Sequence, residues 1–190
     1  MKLTELATLS KGFAATARKS ESSNTLYDIK MFDRDLTVVT ENPRLHIQQT
    51  TVEPSNVTEK VTPGSVVIST NTRKAAVVSE LSGTVKLSGH FVLVEFSDET
   101  IDSWYFVYLF NENSAVRRQI EKATQGSALV KSINLRDLGG IDIPLVDPAL
   151  QRQLGETYIK TLHRNALRDA QQQLQTKLTF ALIEKELTNA

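Results

Sequence analysis

The sequence contains no cysteine, which rules out a disulfide framework, a thiolate nucleophile and any cysteine metal site. No apolar run approaches the roughly 20 residues that a bilayer crossing needs. The opening MKLTELATLSKGFAA lacks the continuous apolar segment of a signal peptide. These absences make the cytoplasm the expected location, with no membrane partner. An excess of either charge is missing too, since 22 Lys and Arg balance 22 Asp and Glu. That balance counts against a nucleic-acid binder, whose affinity rests on cations neutralising phosphates, although a local patch matters more than the total.

Signatures of catalysis are also lacking. The 3 histidines, His46, His90 and His163, stand far apart beside apolar or helical neighbours. No HExxH or HxH occurs, and no carboxylates lie at ligand spacing, so no metal is expected. There is no GxGxxG or GxxxxGK[ST] to cradle phosphate and no GxSxG nucleophile elbow. The Asn/Asp-Pro-Pro-aromatic motif of methyltransferases is missing. The expectation is a protein without cofactor and without catalysis of its own.

What is present is an ordinary soluble composition over 190 residues, 40% hydrophobic and 23% charged, enough for one good core plus an appendage. Acidic Glu95, Asp98, Glu99 and Asp102 form one run. Basic Lys11, Arg18 and Lys19 form a second, and Arg117, Arg118 and Lys122 a third. Leu3, Leu6, Ala7 and Leu9 predict a short amphipathic helix or turn, broken at Lys11-Gly12-Phe13; a polar surface loop follows. Strands are then predicted around Leu26, Ile29 and Met31, over 36–39 and over 45–47. Pro63-Gly64 suits a type II turn leading into a buried strand, 65–69. A polar hairpin tip, 70–74, connects it to 75–79. Two more strands, 84–87 and 91–96, precede a helix capped by Asp102-Ser103 and a second one, Ala115–Ala123, capped by Ser114.

The stretch from Thr124 to Leu154 joins this compact domain to one long terminal helix. Gln125-Gly126-Ser127 is a polar turn leading into Leu129-Val130. Asn134 caps a short turn, Leu135–Leu138, and Gly139-Gly140 is expected to end it in the left-handed conformation. Ile141-Asp142-Ile143 alternates like a strand, and Pro148 suits the first turn of a helix. From Pro148 to Leu187, apolar residues recur every three to four positions: Leu150, Leu154, Tyr158, Leu162, Ala166, Ala170, Leu174, Leu178 and Ala181. A helix with such a stripe cannot stay exposed along about 60 Å, and the preceding domain is too small to cover it. A partner helix is the expected answer, although the stripe is not a strict heptad and fixes neither partner number nor orientation.

The order of these motifs resembles the DNA specificity subunit of type I restriction–modification systems. The residues carrying the resemblance are Leu3-Thr4-Glu5-Leu6 with Gly12, Pro63-Gly64 and its apolar run, the aromatic helix at 104–109, Gly126-Ser127, Leu135–Leu138, Ile141-Asp142-Ile143-Pro144-Leu145, and Gln151. Ser65 replaces the family's usual acidic residue, and Val146-Asp147-Pro148-Ala149-Leu150 departs from its usual second proline and acid. The resemblance implies an α+β fold: a target-recognition domain, 1–147, with a curved mixed β-sheet and short helices, then one long coiled-coil-forming helix, 148–190, for dimerisation and subunit docking. It implies a half-length form with one recognition domain, binding a specific double-stranded DNA sequence without catalysis. It also implies partners: a methyltransferase (modification) subunit, a restriction subunit and, through the helix, a second copy.

The candidate DNA-binding residues are Lys11, Arg18 and Lys19 in the first loop, Thr70, Asn71, Arg73 and Lys74 at the hairpin tip, and Gln125, Gly126, Ser127 and Lys131. Each set suits phosphate or base-edge contacts; the residues alone favour a solvated surface loop for Lys11, Arg18 and Lys19, while the other two sets equally suit a polar turn. Leu154, Tyr158, Leu162, Ala166, Ala170, Leu174, Leu178 and Ala181 are the candidate dimer or subunit interface. Trp104, Tyr105 and Tyr108 have the spacing of a buried helix face. The alternative function is an interaction module that docks through its helix without reading DNA.

Overall fold

A computed structural model describes residues 1–12, 26–41, 60–97, 101–126 and 131–189. The chain runs α1 (Leu3–Leu6), β1 (Ala7–Lys11), β2 (Leu26–Tyr27), α2 (Ile29–Glu41), β3 (Lys60–Val61), β4 (Val66–Ser69) and β5 (Lys74–Val77). It continues through β6 (Val85–Leu87), β7 (Phe91–Phe96), α3 (Ser103–Glu112), α4 (Ser114–Ala123), β8 (Gln125–Gly126), β9 (Lys131–Ser132), α5 (Leu135–Gly139) and α6 (Pro148–Asn189). The main sheet has the order β1-β7-β4-β5, with antiparallel neighbours throughout. A smaller sheet sets β6 between parallel β2 and antiparallel β3.

Both faces of the main sheet are covered. Val66, Ile68, Ala75, Val77, Val92 and Val94 pack with α3, α4 and the 133–143 segment. Val67, Ala76, Val78, Phe91 and Leu93 pack on the other side with Tyr27, Phe32, Val61, Val85 and Leu87. Double coverage explains why β4 and β7 read as continuous apolar runs rather than alternating ones. The Pro63-Gly64 turn forms as expected: Ser65 N–H donates to Thr62 O at 3.0 Å and Gly64 has φ 89°. Asp102 caps α3 by accepting from Tyr105 N–H at 2.8 Å. Trp104 and Tyr105 are buried in the core, and Tyr108 stacks edgewise on Tyr158.

Four local expectations are corrected. Residues 29–39 form helix α2, not strands. Asp28 initiates it by accepting from Met31 N–H at 2.9 Å, and Phe32 and Leu36, one turn apart, supply its buried face. The chain leaves helix at Ala7, because Ala7 through Lys11 pair with β7. Asn113, not Ser114, caps α4, accepting from Ala115 and Val116 N–H, both at 3.1 Å. Gly140 ends α5 in the right-handed region, φ −79°; the neighbouring Gly139 is required because the Thr4 methyl leaves no room for a Cβ there. The expected strand at 45–47 and the loop carrying Arg18 and Lys19 lie outside the described residues.

Candidate nucleic-acid interface

Strand pairing decides which of the candidate residues meet. Lys11 lies opposite Val92, Val92 opposite Ile68, and Ile68 opposite Ala75. Lys11 therefore stands at the same end of the sheet as the β4–β5 tip, 70–74, and the 88–91 turn. Gly12 N–H donates to Phe91 O at 3.1 Å, and a Cβ on Gly12 would collide with the Leu87 and Ser88 backbone. The β8–β9 hairpin, which carries Gln125, Gly126 and Lys131, reaches this end as well: Gly126 pairs with Lys131, and Ile133 N–H donates to Thr70 O at 3.3 Å. Ser127, Arg18 and Lys19 are outside the described residues.

The tip residues differ in what they offer. Thr70 is buried, 7% exposed. Its N–H and its hydroxyl both donate to His90 O, each at 3.0 Å. Its side chain is thus occupied inside the fold. Arg73 is half-buried and left-handed, φ 57°. Its N–H donates to Ser69 O at 2.9 Å, and its carbonyl accepts from the Arg117 guanidinium at 3.1 Å. Asn71 and Lys74 are exposed. His90, which sequence reasoning set aside, is exposed beside Asn71, with Asn71 Nδ2 3.4 Å from His90 Nδ1. No spacing rule could have paired them, because they belong to different turns.

Elsewhere, an open groove of about 510 Å³ lies between α4 and α5, lined by Lys122 and Arg136 with Gln119 and Asp137. Among the described residues no group of three or more His, Cys, Asp or Glu side chains is placed to hold a metal. No helix among them is long and apolar enough to cross a membrane.

Helix α6 is anchored by two contacts near its start. Buried Gln151 accepts from Asp102 N–H at 3.2 Å and donates to Val146 O at 2.9 Å. Gly155 lies against Asp102, Trp104 and Tyr105 so closely that a Cβ would meet Trp104 Cβ at 3.1 Å. The expected apolar stripe then divides. Leu154, Tyr158 and Leu162 pack on the chain's own core, and Ala166 is half-exposed. Ala170 and Ala181 are exposed, as are Leu174 at 66% and Leu178 at 62%. Beyond Leu162 the helix runs past the domain, so residues on every side of it are exposed from Leu167 onward. The line also turns, because steps of four residues advance about 40° around a helix of 3.6 residues per turn. By Leu174 the line that began at Leu154 has moved about 200°, from the domain side to the opposite one. Leu167 lies on that outer face with Leu174 and Leu178, while exposed Phe180, Ile183 and Leu187 lie about half a turn away.

The fold is thus an α+β head, its sheet covered on both faces, carried on one long helix. That architecture is the one found in S subunits of type I restriction–modification systems. The S subunit from M. genitalium superposes over 83% of this chain and 37% of its own, with 12% identity and TM-score 0.50. The HsdS subunit from Thermoanaerobacter tengcongensis does so over 88% and 38%, with 14% identity and TM-score 0.54. A structure concerned with complex assembly and conformational transition of the type I R-M system does so over 97% and 43%, with 15% identity and TM-score 0.58. The chain spans about two fifths of the length of these structures. No protein-family model and no curated protein matches the sequence. The chain has the fold of the type I specificity subunit, as its motif order implied.

Proposed function

We propose that this chain recognises a specific double-stranded DNA sequence as the specificity subunit of a type I restriction–modification complex. It directs the methyltransferase and restriction subunits to a target and performs no catalysis itself. The observation that carries this reading is the shared fold, with cationic Lys11 and Lys74, polar Asn71 and the β8–β9 hairpin at one end of the sheet. Cations there set register on phosphates while polar side chains read base edges. The outer face of α6, Leu167, Leu174 and Leu178, pairs with the same face of a second copy, so that two heads meet a split palindrome. The second apolar face, Phe180, Ile183 and Leu187, is left for another subunit. The cytoplasm is the compartment in which such a complex works.

The test is to purify the chain with modification and restriction subunits and follow methyl transfer to duplex DNA. Transfer that depends on the chain supports the reading; a stable complex whose transfer is indifferent to DNA sequence contradicts it. The rival, a docking module without DNA contact, draws on the zero net charge and the exposed apolar tail, and predicts that second outcome.

A further inference from the structure

The DNA reading leaves open which side chains discriminate bases. Resting on that reading, we propose that Asn71 and His90 form a base-reading pair, presented on two turns that the fold locks together. Arg73 is the non-glycine residue with a positive φ among the described residues. A side chain held in that region is strained, and strain persists only where surrounding contacts over-determine it. Here they do. The Arg73 N–H and the Thr72 N–H both reach Ser69, at its carbonyl (2.9 Å) and its hydroxyl (3.2 Å). The Arg117 guanidinium holds the Arg73 carbonyl at 3.1 Å. The tip is then stapled to the 88–91 turn by the two bonds from Thr70 to His90 O, and to the residue following β9 by Ile133 N–H on Thr70 O. The 88–91 turn closes itself through Phe91 N–H to Ser88 O at 3.0 Å.

What this rigid double turn offers to solvent is an amide and an imidazole, both exposed and hydrogen-bonded to each other between Asn71 Nδ2 and His90 Nδ1 at 3.4 Å. That bond leaves the amide oxygen, the second amide N–H and the ring Nε2 for a base. An Asn amide donates to adenine N7 while accepting from adenine N6–H, and a ring N–H of histidine donates to purine N7 or O6. Two neighbouring groups suit neighbouring base pairs, about 3.4 Å apart along a strand, and the major groove admits a two-stranded β-ribbon such as β4–β5. Neither residue is a lysine or arginine, so their contribution falls on discrimination between sequences and not on phosphate-driven affinity. Thr70, Arg73 and Arg117 are positioning residues: they aim the pair without touching DNA.

The experiment enriches a duplex from a random library with the full chain bound to its modification subunit. Affinities of Asn71→Ala, His90→Ala and Thr70→Val complexes are then measured on that duplex and on a scrambled one. Asn71→Ala and His90→Ala are each expected to cut the ratio of the two affinities about tenfold or more, leaving scrambled-duplex affinity and its salt slope unchanged. Thr70→Val is expected to erode the ratio in the same way from beneath the surface. Equal loss on both duplexes, or an unchanged ratio, overturns the proposal while the DNA reading survives. Failure of the unmutated complex to enrich any sequence overturns both.

Discussion

Gln151 shows how one side chain fixes the relation of head and helix. Both ends of its amide are used inside the protein, on Asp102 N–H and on Val146 O. Gln151→Ala removes a buried amide and two hydrogen bonds. Because Asp102 is only half-buried and Val146 exposed, water can reach the freed groups, and each lost bond costs about 0.5–1.5 kcal/mol. Urea unfolding should show a loss of about 1–3 kcal/mol; a loss below about 0.5 kcal/mol would mean that water replaces the amide without cost. Asp102, next to it, carries a pH effect. Burial raises its carboxyl above the usual 3.8, with the Tyr105 and Trp104 amides partly offsetting that. The folded state therefore holds this proton more tightly than the unfolded chain, and the group favours folding at low pH. That contribution fades as pH rises from about 4 through the raised folded value. Asp102→Asn keeps a capping side chain and should remove this component, so the difference in unfolding free energy between variant and parent should drift in the variant's favour from pH 4 to 7. A pH-independent difference would mean that the carboxyl titrates normally.

At the scale of elements, α6 has two stretches with different surroundings, and the proposal gives each its own task. Leu162 packs on the core, and Leu178 faces outward. Leu162→Ala should lower stability by about 2 kcal/mol or less, given its partial burial, without changing mass in solution. Leu178→Glu should leave stability of the head intact and convert a dimer to a monomer in light scattering. Reversal of those two effects would contradict the division of labour. The helix and its length are legible in the sequence because the apolar recurrence is long; where the domain stops covering it is not, because that depends on how the head packs against its first turns. The buried strands β4 and β7 were legible because sheet faces covered on both sides need unbroken apolar runs. Helix α2 was not, since the β-branched Thr37-Val38-Val39 outweighed the Asp28 cap and the Phe32–Leu36 pair in a local reading. The candidate site was half legible. Polar tip residues are visible in sequence, but the burial of Thr70 and the approach of His90 to Asn71 exist only after β4 and β7 pair.

For the whole molecule, the proposed function rests on one sheet end collecting four separated segments: the end of β1, the β4–β5 tip, the 88–91 turn and the β8–β9 hairpin. Charge neutrality over 190 residues does not conflict with the proposal, which needs only local cations, Lys11 and Lys74 among the described positions. Lys74→Ala should weaken binding similarly on all sequences and lower the dependence of log affinity on log salt by about 1, the signature of one lost phosphate contact. Unchanged affinity and slope would remove the hairpin base from the interface. The most direct test of the central claim is selection from random duplex DNA by the chain in complex with its modification subunit. A split, two-fold symmetric sequence is the predicted outcome, with each half read by one head. Recovery of a stable complex without any enriched sequence would contradict it.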